Sequence, residues 1–170
     1  MNATAARGPA GPVAVTLPGG GRVHARGLSR ARPPEPPPQF GLYLLGHPLD
    51  RPGVYGRYLV GLAPWSPPWP FVRIDWPDFA APRRPAEAVA ELRRTLGRIE
   101  CGERVEIACG GGRGRTGAAL AVLAVLRGLT AAEALRWVRS VYDARAVESR
   151  RQRRWVEGVA AGAWPAVSGP

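Results

Sequence analysis

The sequence C-G-G-G-R-G-R-T-G, residues 109–117, carries the pattern that decides the fold of this chain. It follows a predicted strand, 104–108, and leads into an apolar helix that is predicted from Thr116. It is close to the nucleotide-binding pattern G-x-x-x-x-G-K-[ST], but Cys109 replaces the first glycine and Arg115 replaces the lysine. A glycine-rich turn between a strand and a helix places backbone N–H groups around an anion. The stretch therefore predicts an anion cradle that holds a thiol.

The residue types in this loop suit chemistry on a phosphoryl group. Backbone N–H groups and a helix N-terminus favour the thiolate form of Cys109, which is the nucleophilic form. Arg115 can hold two phosphate oxygens in a bidentate fork, which lysine cannot do. Thr116, at the helix start, can donate a hydrogen bond to the thiolate or to a leaving sulfur. The residues predicted to contact the substrate in this loop are Gly110, Gly111, Gly112, Arg113 and Gly114.

Composition limits the classes of protein that fit. The 170 residues suffice for one domain, and all 24 basic residues are arginine, giving a net charge of +11. Such a charge suits an anionic ligand, but it is also what GC-rich codons produce. Cys101 and Cys109 flank a strand too long for a disulfide, so we expect free thiols and a cytoplasmic location. We expect no signal peptide and no transmembrane segment, because the apolar run 118–126 is too short to cross a bilayer.

The order of predicted elements indicates an α/β domain. Phe71–Ile74 reads as a strand, residues 75–82 as a loop, and Pro85 opens a helix with apolar residues at 3, 4 and 7 spacing. Thr130 begins a capping box for a further helix, and a last helix is predicted from Val147 to Ala161. Strands that alternate with helices predict a central, mostly parallel sheet flanked by helices, with an N-terminal β-hairpin and a helical C-terminus.

A second motif precedes the cysteine loop. Trp76-Pro77-Asp78 ends 31 residues before Cys109. Together, C-x5-R-[ST] after a strand and W-P-D upstream resemble the cysteine-dependent protein tyrosine phosphatase superfamily, in its compact, dual-specificity-like form. The resemblance implies that Cys109 is the nucleophile, that Arg115 binds the phosphoryl oxygens and that Asp78 is the general acid on a mobile loop. Ala108 departs from the family pattern, which usually has His before the cysteine.

A third pattern lies in the last helix. Glu148 and Gln152 share one face with Trp155, Val156 and Val159, which predicts that this face points inward. The two polar residues either cap the helix and contact water or border the functional site. The resembled family has a glutamine after the catalytic helix that positions water, and Gln152 is the best match. Glu148 is a weaker candidate for contact with the substrate.

Composition and pattern divide the chain into segments, and the resemblance covers roughly residues 40–160 of it. The predicted divisions are a flexible N-terminus at 1–12 and a single phosphatase-like domain at 13–165, made of a hairpin at 13–26, a proline-rich connector at 31–39 and a catalytic core at 40–160. Residues 46–70, rich in Gly, Pro and Trp, are predicted to be irregular.

The function expected from these observations is hydrolysis of phosphate monoesters through a cysteinyl-phosphate, on phosphotyrosine or phosphoserine/threonine proteins. No metal or cofactor is expected, because the loop itself supplies positive charge. The alternatives are a phosphatase of phosphoinositides or small phosphoesters, and a non-catalytic phosphate-binding module of the same fold. A nucleic-acid binder would also suit the charge, but the sequence has no base-reading motif.

Overall fold

Five strands and four helices form the fold of residues 11–29, 31–46 and 66–165, which are the residues that the computed structural model describes. The elements are β1 Val13–Thr16, β2 Arg22–Gly27, β3 Phe40–Leu45, β4 Phe71–Asp75, α1 Pro85–Glu100, β5 Val105–Cys109, α2 Gly114–Leu126, α3 Ala131–Val141 and α4 Arg150–Ala160. Most of the predicted flexible N-terminus and most of the predicted irregular segment 46–70 lie outside the described residues.

The sheet has the strand order β1-β2-β5-β3-β4. Strand β1 is antiparallel to β2, and all other pairs are parallel. This arrangement confirms the predicted α/β class with a mostly parallel sheet. The N-terminal hairpin contributes more to the central sheet than the sequence indicated. Its strand β2 pairs with β5, the strand that carries the cysteine, and this pairing aligns Gly27 with Cys109.

Alternation along β5 divides its side chains between two cores. Val105, Ile107 and Cys109 belong to the main apolar cluster, which the four helices share. Ala108 belongs to a smaller cluster with Leu28, Tyr43 and Leu45 on the opposite face. Because side chains alternate across a strand, the cysteine that ends β5 points to the helical side of the sheet.

A buried polar network lies on the face of the sheet that carries the smaller apolar cluster. The Arg26 guanidinium donates to both Glu106 oxygens, at 2.6 and 3.0 Å. The Tyr43 hydroxyl donates to Glu106 at 2.7 Å and accepts from the Trp69 indole at 2.8 Å. Burial and the neighbouring carboxylate raise the pKa of Tyr43, which keeps the hydroxyl protonated. The carboxylate of Glu106 is thus paired and hydrogen-bonded, as a buried charge must be.

The helices follow the sequence patterns closely. In α1 the apolar stripe is buried as predicted, and Pro85 occupies the start of the helix. The apolar helix α2 is buried from Gly114 to Ala124, because it packs against α1, α3, α4 and the sheet. The capping box of Thr130 and Glu133 forms at the start of α3, which confirms that prediction.

Three predictions about local structure need correction. Helix α4 starts at Arg150 rather than Val147, because Val147 has a φ of 63° and Ser149 provides the N-cap. Strand β5 runs one residue further than expected, so Cys109 is its last residue. The sequence favours Cys101 as a packing residue over a redox partner, but its side chain is exposed because it lies at the C-cap of α1.

The parallel strands bring distant parts of the sequence to one edge of the sheet. The carboxyl end of β5 is Cys109, and the register aligns it with Gly27 of β2 and Leu44 of β3. Asp75 ends β4 beside Leu45. Ligands bind outside the carboxyl ends of strands in open α/β sheets. The cysteine loop and the W-P-D segment therefore leave the sheet on the side where a site is expected.

Candidate active site

The loop after β5 closes around the cysteine thiol. Cys109 Sγ accepts hydrogen bonds from the backbone N–H of Gly112 at 3.2 Å and from the hydroxyl of Thr116 at 3.1 Å. Both donors stabilise a thiolate more than a thiol, because they place positive charge at the sulfur. A small cavity of about 130 Å³ opens above it, lined by Asp78, Phe79, Cys109, Gly111, Arg113, Gly114 and Glu148. The predicted cradle thus has a built pocket at its centre.

Backbone contact with β2 holds this loop in place. Gly112 has a φ of 74°, and a Cβ added to it would lie 2.2 Å from the Gly27 nitrogen. Beyond Gly27, Leu28 N–H donates to the Cys109 carbonyl at 2.9 Å, and the Ser29 hydroxyl donates to the Gly110 carbonyl at 2.7 Å. The glycines at 27 and 112 are required because two backbones meet without room for side chains.

Arg115 links the cysteine loop to the W-P-D segment. Its side chain is almost fully buried, and Nη1 donates to the Trp76 carbonyl at 3.0 Å. Its Nε lies 3.4 Å from Asp78 Oδ1. The guanidinium therefore lies between the two motifs that the sequence analysis paired.

The W-P-D segment is anchored at Trp76 and open at Asp78. The Trp76 indole is fully buried, donates to the Ala80 carbonyl at 2.6 Å, and meets the Trp155 ring edge-on at a centroid distance of 4.7 Å. The Asp78 side chain remains 46% exposed at the pocket. Asp75 is the other aspartate beside the motif. It ends β4 and pairs with Arg83 at 3.3 Å, whereas Asp78 lines the pocket.

Arg113 is held on the far side of the loop by two carboxylates. Its Nε lies 3.2 Å from Asp143, and its Nη1 lies 3.6 Å from Glu148. The pKa of Glu148 is raised, chiefly by burial, and the Arg113 charge opposes that shift only in part. Arg113 and Glu148, which the sequence predicts to contact the substrate, both line the pocket. Arg113 is paired with the two carboxylates in this structure.

Gln152 caps the last helix and is buried next to the cysteine loop. It closes the capping box of α4, and its Oε1 accepts from the N–H groups of Glu148 at 2.9 Å and Ser149 at 3.2 Å. The residue is fully buried, and within the described residues its Nε2 has no hydrogen-bond partner. A Cβ added to Gly114 would lie 2.8 Å from that nitrogen. Gln152 Nε2 therefore lies behind Gly114, which lines the cavity.

Two contacts of the site were missed by the sequence analysis. The Tyr142 hydroxyl donates to the Gly112 carbonyl, and burial is the main cause that raises the pKa of Tyr142. The Ser149 hydroxyl donates to the Phe79 carbonyl at 2.6 Å, next to the predicted acid. Tyr142 belonged to the predicted inward stripe of α3, and S-x-x-Q at Ser149 is a capping signal, but neither pattern states its tertiary partner.

No group of three or more His, Cys, Asp or Glu residues within 11–29, 31–46 and 66–165 is arranged to hold a metal ion. None of the helices described is long and apolar enough to cross a bilayer.

Comparisons with known proteins agree with the fold. No curated protein matches the sequence significantly. Solved structures that share the fold include a mutant form of Tk-PTP, at 22% identity, TM-score 0.63 and coverage of 89% of this chain and 96% of that one. Human DUSP28 gives 18% identity, TM-score 0.53 and coverages of 93% and 98%. The phosphatase domain of Yvh1 from Chaetomium thermophilum gives 16% identity, TM-score 0.58 and coverages of 92% and 100%.

The family comparison covers both motifs and the last helix. The model described as "Swiss Army Knife protein, DSP-PTPase phosphatase domain" matches residues 76–160, half of the chain. Its matched span starts at Trp76 and includes Cys109, Arg115 and Gln152. The chain therefore belongs to the dual-specificity and tyrosine phosphatase family, in the branch that this model describes.

Proposed function

We propose that this protein hydrolyses phosphate monoesters on phosphotyrosine or phosphoserine/threonine proteins through a cysteinyl-phosphate intermediate. The observation that carries the proposal is that Cys109 and Asp78 line one small cavity, with the buried Arg115 in contact with Asp78. Two donors hold Cys109 Sγ, and Arg115 Nε lies 3.4 Å from Asp78 Oδ1. These groups come from two separate loops, and a nucleophile, an anion clamp and an acid are what two-step phosphoryl transfer needs.

In the first step, the Cys109 thiolate attacks phosphorus and an S–P bond forms. The bond from phosphorus to the leaving oxygen breaks, and Asp78 gives its proton to that oxygen. Arg115 and the N–H groups of the loop bind the equatorial oxygens, where negative charge accumulates. Thr116 donates to the sulfur and stabilises it before the attack.

In the second step, water attacks phosphorus and the S–P bond breaks. Asp78, now ionised, takes a proton from that water, and the thiolate returns to its two donors. Gln152 is the candidate to orient the water, because its buried Nε2 lies against Gly114 at the cavity wall. The residues of this chain supply every acid, base and positive charge that the two steps use.

The first test is hydrolysis of p-nitrophenyl phosphate without added metal. We expect Cys109→Ser to abolish turnover while the variant still binds vanadate, because the cradle remains. Cys101→Ser is the matched control, since that thiol is exposed at the end of α1 and should retain wild-type activity. Wild-type turnover by folded Cys109→Ser would exclude the covalent mechanism.

The acid is tested with two leaving groups. Asp78→Asn should slow a phenyl phosphate, whose leaving group needs a proton, by about 10²- to 10⁴-fold. It should slow p-nitrophenyl phosphate much less. Asp75→Asn is the control, because that carboxylate faces Arg83. Equal losses on both esters would assign the acid role to another residue.

A further inference from the structure

Among the described residues, the arginines of α3, α4 and their connection form no ion pairs, whereas two of the arginines of α1 do. In α1, Arg94 pairs with Glu91 at 2.7 Å and Arg98 with Glu103 at 2.9 Å. Within the part of the chain that the structure describes, no ion pair is formed by Arg136, Arg139, Arg145, Arg150, Arg151, Arg153 or Arg154. An arginine-rich composition explains many guanidinium groups, but it does not explain why these seven form no ion pair with the few carboxylates near them.

The carboxylates of this region are mostly engaged elsewhere. Glu133 accepts hydrogen bonds from Thr130 in the capping box of α3, which lowers the pKa of that carboxyl. Asp143 and Glu148 face Arg113 at the active site. Glu157 is the one acid of α4 itself. The outer surface of α3 and α4 therefore carries positive charge that the described residues do not neutralise.

Three of these arginines line one concave surface. A groove of about 400 Å³ lies between the two helices, and Arg136, Arg139 and Arg153 reach into it. Its apolar part comes from Leu135 and two alanines at the start of α3, and Glu157 lines it on the α4 side. Arg139 is held in position, because its Nε donates to the Ala146 carbonyl at 3.1 Å. We call this surface the α3–α4 groove.

We propose that the α3–α4 groove binds an acidic segment of the phosphoprotein substrate, at a distance from the phosphorylated residue. Guanidinium groups hold carboxylates in a bidentate manner, and Leu135 gives an apolar contact between them. A groove favours a peptide over a flat membrane surface. Arg153 directly follows Gln152, so the groove and the active site share the first turns of α4. The substrate part of this inference depends on the proposed function.

Binding is measured separately from catalysis. The probe is a fluorescein-labelled, unphosphorylated peptide of alternating Glu and Leu, with fluorescence anisotropy as the readout. The test variant is Arg136→Glu/Arg153→Glu. The control is Arg32→Glu/Arg93→Glu, which changes the net charge equally at two arginines outside the groove. Arg139 is left unchanged because of its bond to Ala146.

We expect the groove variant to weaken peptide binding by about tenfold or more and the control by less than about twofold. The groove variant should leave kcat/KM for p-nitrophenyl phosphate unchanged. It should raise KM only for a phosphopeptide that carries the same acidic segment. Glu157→Lys should strengthen binding of the labelled peptide.

Three outcomes would overturn the inference. Equal losses in the groove and control variants would mean that only net charge matters. Saturable binding to phosphatidylserine vesicles without binding of the peptide would assign the surface to lipid. Unchanged peptide affinity in the folded groove variant would exclude the groove itself. If the wild type binds the peptide but hydrolyses no phosphoester, the proposed function fails while the groove remains supported.

Discussion

The contact between β2 and the cysteine loop gives a sharp prediction for Gly27→Ala. A Cβ at position 27 would lie 2.7 Å from the carbonyl carbon and oxygen of Gly111 and 3.0 Å from the nitrogen of Gly112. Ordinary contact begins at 3.4 Å, so the loop must move by 0.7 Å or more. Those atoms belong to backbone, and no flexible side chain can yield in their place. The added methyl group should therefore displace the cradle itself.

The magnitude follows from the size of that displacement. Overpacking costs about 1–3 kcal/mol of unfolding free energy. Misplacement of reacting groups by about 1 Å can cost about 10²-fold in rate, so we expect kcat/KM for p-nitrophenyl phosphate to fall by about that factor. Gly97→Ala is the matched control, since its Cβ would meet nothing within 4 Å, and in a helix it should stabilise by about 0.5–1 kcal/mol.

The assay combines urea unfolding with steady-state kinetics on both variants. Circular dichroism first establishes that Gly27→Ala is folded, so that a loss of rate is assigned to the loop. If Gly27→Ala is folded and keeps wild-type stability and kcat/KM, the reasoning from backbone contact is refuted. Gly112→Ala should lower stability and kcat/KM more than Gly27→Ala does. Its φ of 74° adds backbone strain, and its Cβ would lie 2.2 Å from the Gly27 nitrogen.

Three further predictions concern the residues around the site. Glu106→Gln leaves the buried charge of Arg26 without its counter-ion, and we expect urea unfolding to show a loss of about 3–5 kcal/mol; a loss below about 1 kcal/mol would contradict this. Tyr142→Phe removes the donor to the Gly112 carbonyl and should cost about 1–3 kcal/mol, so unchanged stability would argue against that hydrogen bond. Burial raises the pKa of Glu148, so the folded state binds the proton of this carboxyl more tightly than the unfolded state does. Wild-type stability is therefore lost as pH rises through the pKa of Glu148 in the folded state. The melting temperature of Glu148→Gln relative to wild type should therefore increase between about pH 4 and pH 7, and the opposite trend in thermal scans would show that the pair with Arg113 outweighs burial.

Local sequence patterns were enough to predict the class of the fold and to locate the cysteine loop. The residues that define the cradle are local: a strand, three glycines, Cys109, Arg115 and Thr116 follow one another within a few positions. Hydrophobic periodicity predicted α1 and the capping box predicted α3, because both signals depend on neighbours three or four residues apart. Asp78 was predicted as the acid from the W-P-D motif, although no local signal states how near Asp78 lies to Arg115.

The contacts that hold these parts together became visible only in the folded chain. Gly27, Tyr142 and Ser149 contact the two loops from positions far along the chain, and single-sequence patterns do not encode such distances. The sequence left open whether Gln152 caps the last helix or borders the functional site. In the folded chain its side chain caps α4 and lies against Gly114 of the cysteine loop. Helix α4 began later than its apolar pattern indicated, since a backbone in the left-handed region at Val147 must precede the cap at Ser149. Periodicity describes which face is buried, whereas the exact contacts depend on which strands become neighbours in the sheet.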